Sequence, residues 1–207
     1  MTNTRMMIWL AIASYCWLAG TVLIGGVIYP NYSHASQFMS ELGANGSPIS
    51  AYVNHLGFAV TEILLLCSLA IAWQLLPKKP TTLIGFGLLV AYPILISISA
   101  FSPCDFQCRP EQPTLTHTIH IVSGLLAYLS AVLGLAVLSW QHVDQENKQP
   151  LRRAALFLTP VLLIMLAVLT PENPMVGAVQ RIAETAIYAW LVVWLFQLAN
   201  AHKSVAE

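Results

Sequence analysis

Charge is what this 207-residue chain has least of. Only 9% of its residues are Asp, Glu, Lys or Arg, against ~25% in a soluble domain. Basic and acidic residues balance at nine each, so the formal net charge is zero. That removes the basic footprint by which a protein holds nucleic acid. No internal repeat, no low-complexity tract and no soluble stretch long enough for a second domain is present. The apolar segments lack the period-2 alternation of barrel strands, which excludes a membrane β-barrel.

What fills the chain instead is hydrocarbon. Hydrophobic residues make up 57% of it, and the mean hydropathy is +0.69. They gather in six stretches, about residues 7–28, 53–76, 82–101, 115–140, 154–169 and 177–198. Most approach the ~20 residues a helix needs to cross a bilayer core. Only helices satisfy their own backbone groups there once barrels are excluded. The first stretch is longer than the ~7–15-residue core of a signal peptide, and no clean A-x-A site follows it, so it is expected to remain as a helix. The expectation is an all-α, polytopic membrane protein: one bundle of six transmembrane helices in a single domain.

The scarce cations are sorted. Arg5, Lys78, Lys79, Lys148, Arg152, Arg153 and Lys203 fall on one side of six crossings, and only Arg109 and Arg181 on the other. The positive-inside rule then puts both termini in the cytoplasm, most simply in a bacterial cytoplasmic (inner) membrane. Trp9, Trp73, Trp140 and Trp194 fit the inner aromatic belt, and Tyr29, Tyr32 and Tyr52 the outer one. On the inner side, residues 77–80 form a tight turn, 142–150 a polar linker, and the tail after Ala199 is short and polar. Cys16 and Cys67 sit in helices as small hydrophobes. Cys104 and Cys108 fall in an outer loop, where an oxidising compartment favours a disulfide over a C-x3-C zinc half-site.

The outer loops are the long ones, at about 29–52 and 102–116, and a functional site is expected there. In the first, Ser33 suits an N-cap and Gly43 a C′ position. A short amphipathic helix between them would align His34, Gln37 and Glu41 within about 60° of arc. Phe38, Met39 and Leu42 would form its apolar stripe. The fourth stretch opens with His117 and His120, three apart on one face. With Asp105, Glu111 or His34 they offer an incomplete zinc set; two interfacial histidines bonded to loop carbonyls is the plainer reading. His55 and Glu62 share a face of the second helix. Arg181, Glu184 and Tyr188 share a face of the sixth, next to Gln180. Ionisable groups this deep face the bundle interior or a wet cavity. A structural Arg181–Glu184 salt bridge beside a neutral Glu62 is the alternative. Gly25-Gly26 reads as a close-packing site.

The block Y-S-H-A-S-Q-F-M-S-E-L-G-A-N-G-S-P (Tyr32–Pro48) resembles the signature of the DUF998 family of bacterial and archaeal membrane proteins, with Met39 where Ile is expected. The S-P-C…H-x-x-H stretch (102–120) and the G-x-x-Q-R segment (177–181) are similar too. The resemblance spans all six helices and implies a polar site on the outer face, without implying an activity. A weaker similarity links M-S-E-L-G-A-N-G-S-P to a loop of the Frag1/DRAM/Sfk1 group, six-helix proteins tied to lipid handling.

Three functions fit these residues. In the first, an outer cavity binds a membrane lipid or amphiphile, with Arg181 opposite an anionic group and His34, Gln37, Glu41, His55, Glu62, Glu184 and Tyr188 around it. In the second, His117, His120 and either Asp105 or His34 hold zinc in a lipid hydrolase or transferase, with Glu41 as general base and Glu62 as a further catalytic candidate. In the third, His55 pairs with His117 or His120 across a haem; no matching inner pair exists, which argues against electron transfer across the membrane.

Overall fold

The computed structural model describes residues 2–140 and 148–206, and all regular structure among them is helical. Six long helices form the bundle: α1 (Thr2–Ile28), α2 (Ala59–Leu75), α3 (Pro80–Phe101), α4 (Leu115–Trp140), α5 (Lys148–Ala167) and α6 (Val176–Ala206). A π-helical turn, Tyr52–Phe58, runs directly into α2. All six are long and apolar enough to cross a bilayer. Their outward faces are apolar as well: Val27 is 86% exposed, Leu115 75% and Phe157 69%. Such a surface is stable only against hydrocarbon, so this is an integral membrane protein.

Between helices the core is held by packing and by a few buried hydroxyls. Ser14 donates to the Thr61 carbonyl and pairs with the Tyr188 hydroxyl, joining α1 to α2 and α6. Ser68 donates to the Met7 carbonyl and Trp190 to the Ser139 hydroxyl. Inside a bilayer such bonds add directional attraction where burial alone adds little. The pairing Ser14–Thr61 with Met7–Ser68 makes α1 and α2 antiparallel. The succession of short connections then gathers the segments 29–51, 102–114 and 168–175 at one end, called here the loop face. The α3–α4 pair is the most intimate. A Cβ on Gly134 would stand 2.8 Å from the Gly85 carbonyl oxygen and 2.8 Å from the Leu89 nitrogen.

Local structure departs from the sequence reading in four places. The first long loop does not form one amphipathic helix over Ser33–Gly43; it makes turns and then a 3-10 turn, Met39–Gly43. Gln37 and Glu41 cause this. The Gln37 Oε1 accepts from the Ser33 N–H and the Glu41 Oε1 from the Phe38 N–H, bonds that compete with a continuous helical ladder. The wide π turn rotates His55 off the face of Glu62: His55 is exposed while Glu62 is buried. Trp194 is 1% exposed and belongs to the core, not to an interfacial belt. Helix α6 runs on to Ala206, since nothing after Ala199 is a Gly or Pro to stop it. The linker expected at 142–150 lies largely outside the described residues, and its last three positions already belong to α5.

The backbone contact at Gly134 makes a direct test. Gly134→Ala is expected to destabilise the bundle by about 1–3 kcal/mol, because neither Gly85 nor Leu89 backbone can retreat easily. Gly87→Ala, where an added Cβ meets nothing within 4 Å, should be neutral or stabilising by up to ~1 kcal/mol from helix propensity. Denaturant titration in detergent, read by tryptophan fluorescence, ranks the two; equal midpoints would refute the close α3–α4 contact.

Candidate functional site

The loop face is organised around Arg181, one turn into α6. Its guanidinium NH1 donates to the Gln37 and Gly177 carbonyls at 3.1 and 2.9 Å. Its NH2 donates to the Tyr32 hydroxyl at 2.6 Å and to the His34 Nδ1 at 3.1 Å. Next to it, Gln180 Oε1 accepts from the Met39 N–H at 2.8 Å. Loop 1 (29–51) can come this close because two glycines leave room. A Cβ on Gly177 would collide with the Gln37 and His34 carbonyls, and one on Gly26 with the His34 ring. Gly26 is thus a seat for an imidazole rather than a helix-packing site. Farther along, Asn54 and Ser50 both donate to the Gly43 carbonyl. Arg109 donates to the Ser36 carbonyl from loop 2 (102–114).

This enclosure sets the chemistry of the loop. Tyr32 donates to the Phe38 carbonyl at 2.8 Å; burial pushes its hydroxyl pKa up to about 12, against the pull of Arg181. Burial likewise raises the Glu41 carboxyl, opposed by hydrogen bonds from Gln37 and the Phe38 N–H. Glu41 is 1% exposed, and both its oxygens are used by the loop. It braces loop 1 and does not line the space beneath it.

That space is a half-open cavity of about 650 Å³ bordered by loop 1, α3, α4, α5 and α6, with Leu18, Phe58, Glu62 and Cys108 beside it. Its walls are mostly carbon, among them Ile96, Leu125, Leu129, Leu163 and Leu166. Near the loop face it meets Ser40, His117, His120 and Gln180. At depth it meets Glu62, Glu184 and Tyr128. Glu62 and Glu184 are 2% and 4% exposed, and the Oε2 of each has no hydrogen-bond partner. Tyr92 donates to the other oxygen of Glu184. No Lys or Arg lines the cavity among the described residues.

One wall of the mouth is built from loop 2 and α4. Asp105 accepts from the Thr114 N–H and hydroxyl, and these bonds hold its carboxyl below the usual range. His117 Nδ1 accepts from the Asp105 N–H at 3.2 Å. His120 Nδ1 lies 2.8 Å from the Ser99 carbonyl, to which it donates. The turn bends through left-handed residues Gln107 and Cys108, φ 59° and 51°, and brings the Cys104 and Cys108 Cα atoms to 5.1 Å with their sulfurs within bonding distance.

Sequence-proposed residues therefore divide. Glu62, Glu184, His117 and His120 meet at one cavity. Arg181, His34, Gln37 and Glu41 meet above it, as struts of loop 1. Tyr188 stands behind the wall, against Ser14. His55 faces outward against Phe101, ring centroids 5.5 Å apart, and does not line the cavity that His117 and His120 reach. No Arg181–Glu184 ion pair forms. The donors of His117, His120 and Asp105 do not converge as a set; the trio that does, within 4.8 Å, is Cys104, Cys108 and His120. Tyr92, Tyr128 and Asn54 were not singled out from sequence, because a lone tyrosine or asparagine in an apolar run carries no spacing signal.

Fold and site define a six-helix integral membrane protein with an apolar, acid-floored cavity under a braced loop. The profile of DUF998, described as proteins of unknown function, matches residues 11–197, and the chain belongs to that family. Comparison with curated proteins and with solved structures finds no match to either.

The Arg181–His34 bond generates a pH prediction. Burial, then the charge of Arg181, hold the His34 imidazole below its ordinary value. A depressed folded-state value means the native loop binds fewer protons than the unfolded one. Its contribution is whole above the unfolded value of about 6.5 and is lost as pH falls through the folded value. Amide exchange at Gln37–Met39, corrected for intrinsic rates, is expected to accelerate between about pH 7 and about pH 5. His34→Asn, an acceptor that does not titrate, should abolish the acceleration. The same pH dependence in that variant would rule the imidazole out as its source.

Proposed function

We propose that this protein binds a membrane lipid or other amphiphile in the cavity beneath loop 1. The observation that supports this is the cavity itself: about 650 Å³, inside the ~300–1,000 Å³ of small-molecule sites. Carbon walls separate a polar mouth from a polar floor. For a bundle bathed in hydrocarbon, amphiphiles are the abundant molecules with matching polarity. The NH1 and NH2 groups of Arg181 serve loop 1 and the Gly177 carbonyl, and Arg181 does not line the cavity, so the anionic partner expected for it from sequence is not part of this reading.

Gently extracted protein is expected to carry a lipid-sized adduct in native mass spectrometry. Gly124 lines the cavity, and a Cβ there meets only the Ser99 hydroxyl, at 3.6 Å. Gly124→Phe should therefore fill the space and remove most of the adduct while the melting temperature holds. An adduct-free wild type, or an adduct untouched in the variant, would sink the reading.

We also propose that the loop face is the outer side of a bacterial cytoplasmic membrane, with Cys104 and Cys108 disulfide-bonded there. Seven of nine cations at the opposite face support the orientation. One observation favours a second function, a zinc-dependent lipid hydrolase or transferase: the convergence of Cys104, Cys108 and His120, the last two of which line the cavity. A single intact-mass experiment after alkylation without reductant separates these. Two labels, on Cys16 and Cys67, are expected. Four labels would place the thiols in a reducing compartment and overturn the orientation. Bound zinc, lost in His120→Ala, would instead favour the hydrolase.

A further inference from the structure

Two carboxyls lie at the floor of the cavity. Glu62 on α2 and Glu184 on α6 both stand well inside their helices. Counting from Tyr52 and Val176 at 1.5 Å per residue, they lie about 15 and about 12 Å below the loop-face ends of their helices. That is near the middle of a ~30 Å core. The two carboxyls line the same cavity. Each is more than nine-tenths buried, each lines the cavity, and each has one oxygen without a partner. Arg181, on the same helix as Glu184, spends its NH1 and NH2 groups on loop 1 and the Gly177 carbonyl and forms no ion pair with either carboxyl.

A second feature surrounds the pair. Tyr92 packs with Tyr128 and Tyr188, ring centroids 6.3 and 6.5 Å apart, and Tyr128 reaches the cavity. Aromatic rings with carboxylates are the surroundings in which organic ammonium groups are held. A bare metal cation of the hard class needs about six oxygens around it, which carbon walls do not supply. An ammonium attached to an apolar chain brings donors for the carboxyls and carbon for the walls.

We propose that the cavity selects amphiphiles with a cationic, ammonium-type head, seated between Glu62 and Glu184 with the apolar chain along α4 and α5. This rests on the amphiphile-binding reading and narrows it to one head-group charge. The N–H groups of a primary ammonium meet the free Oε2 atoms as charge-assisted hydrogen bonds.

The test is calorimetric titration of the full chain in a neutral maltoside detergent, with dodecylammonium, dodecanol and dodecanoate as probes of one chain length. Dodecylammonium is expected to bind at least about tenfold tighter than dodecanol, and dodecanoate weakest. Glu62→Gln and Glu184→Gln should each shrink the ammonium preference while leaving dodecanol affinity in place, which shows an intact cavity. Should a variant misfold, the wild-type ranking of the three heads still decides. Equal affinity for all heads, preference for dodecanoate, or a preference unmoved in both folded variants would overturn the cationic head and leave amphiphile binding standing. Failure of all three probes to bind would overturn both.

Discussion

The loop face depends on one guanidinium. A loop that dips into the end of an apolar bundle carries carbonyls that water cannot reach, and each must find a donor. Arg181 supplies donors to the Gln37 carbonyl, the Tyr32 hydroxyl and the His34 ring. Gln180 and the Ala178 N–H serve two neighbouring positions. The first turn of α6 is in effect a comb of donors and acceptors into which loop 1 is pressed. Gly177 and Gly26 make the approach sterically possible. A lysine at 181 would keep the charge but not the planar fork that reaches several acceptors at once.

From this tie follows the shape of the cavity. Loop 1 is held as a cover, with Phe38, Met39 and Ser40 facing down, and α5 touches the rest of the bundle sparingly below it. The space left between α4, α5 and α6 is not a packing fault of the kind a membrane bundle closes by shifting a helix. Its ceiling is fixed by hydrogen bonds to α6 and its wall by the anchored turn at 104–108. The motif residues of loop 1 thus act on the cavity indirectly, by fixing its lid, and the groups facing its interior come from the helices.

That division explains how much was legible in the sequence. Six helices could be read directly, because a bilayer imposes length and polarity on every crossing residue. Glu62 and Glu184 could be flagged because any ionisable group at that depth is conspicuous. The local form of loop 1 could not. The caps at Ser33 and Gly43 suggested a helix, and the side chains of Gln37 and Glu41 instead bond the loop's own backbone. His55 was misassigned for a similar reason. A π turn inserts a residue's worth of rotation that no 3.6-residue wheel contains. The pairing of His120 with two cysteines depends on a left-handed turn at Gln107–Cys108, where neither residue is glycine and composition gives no warning.

Two carboxyls at mid-depth are harder to reconcile with stability than with binding. Burying a charge without a partner costs several kcal/mol, and even a well-made buried pair is often no better than apolar residues of the same size. Glu184 has the Tyr92 hydroxyl on one oxygen and Tyr128 beside it, with Oε2 left without a geometric partner; Glu62 has a bare oxygen as well. Leucine at both positions would complete the apolar lining and remove the penalty. Where two carboxyls that line one cavity both break the rule, the departure belongs to a site. Two negative groups in carbon surroundings require a proton or a cation between them, and the cavity that reaches them has room for a cation with a carbon chain attached.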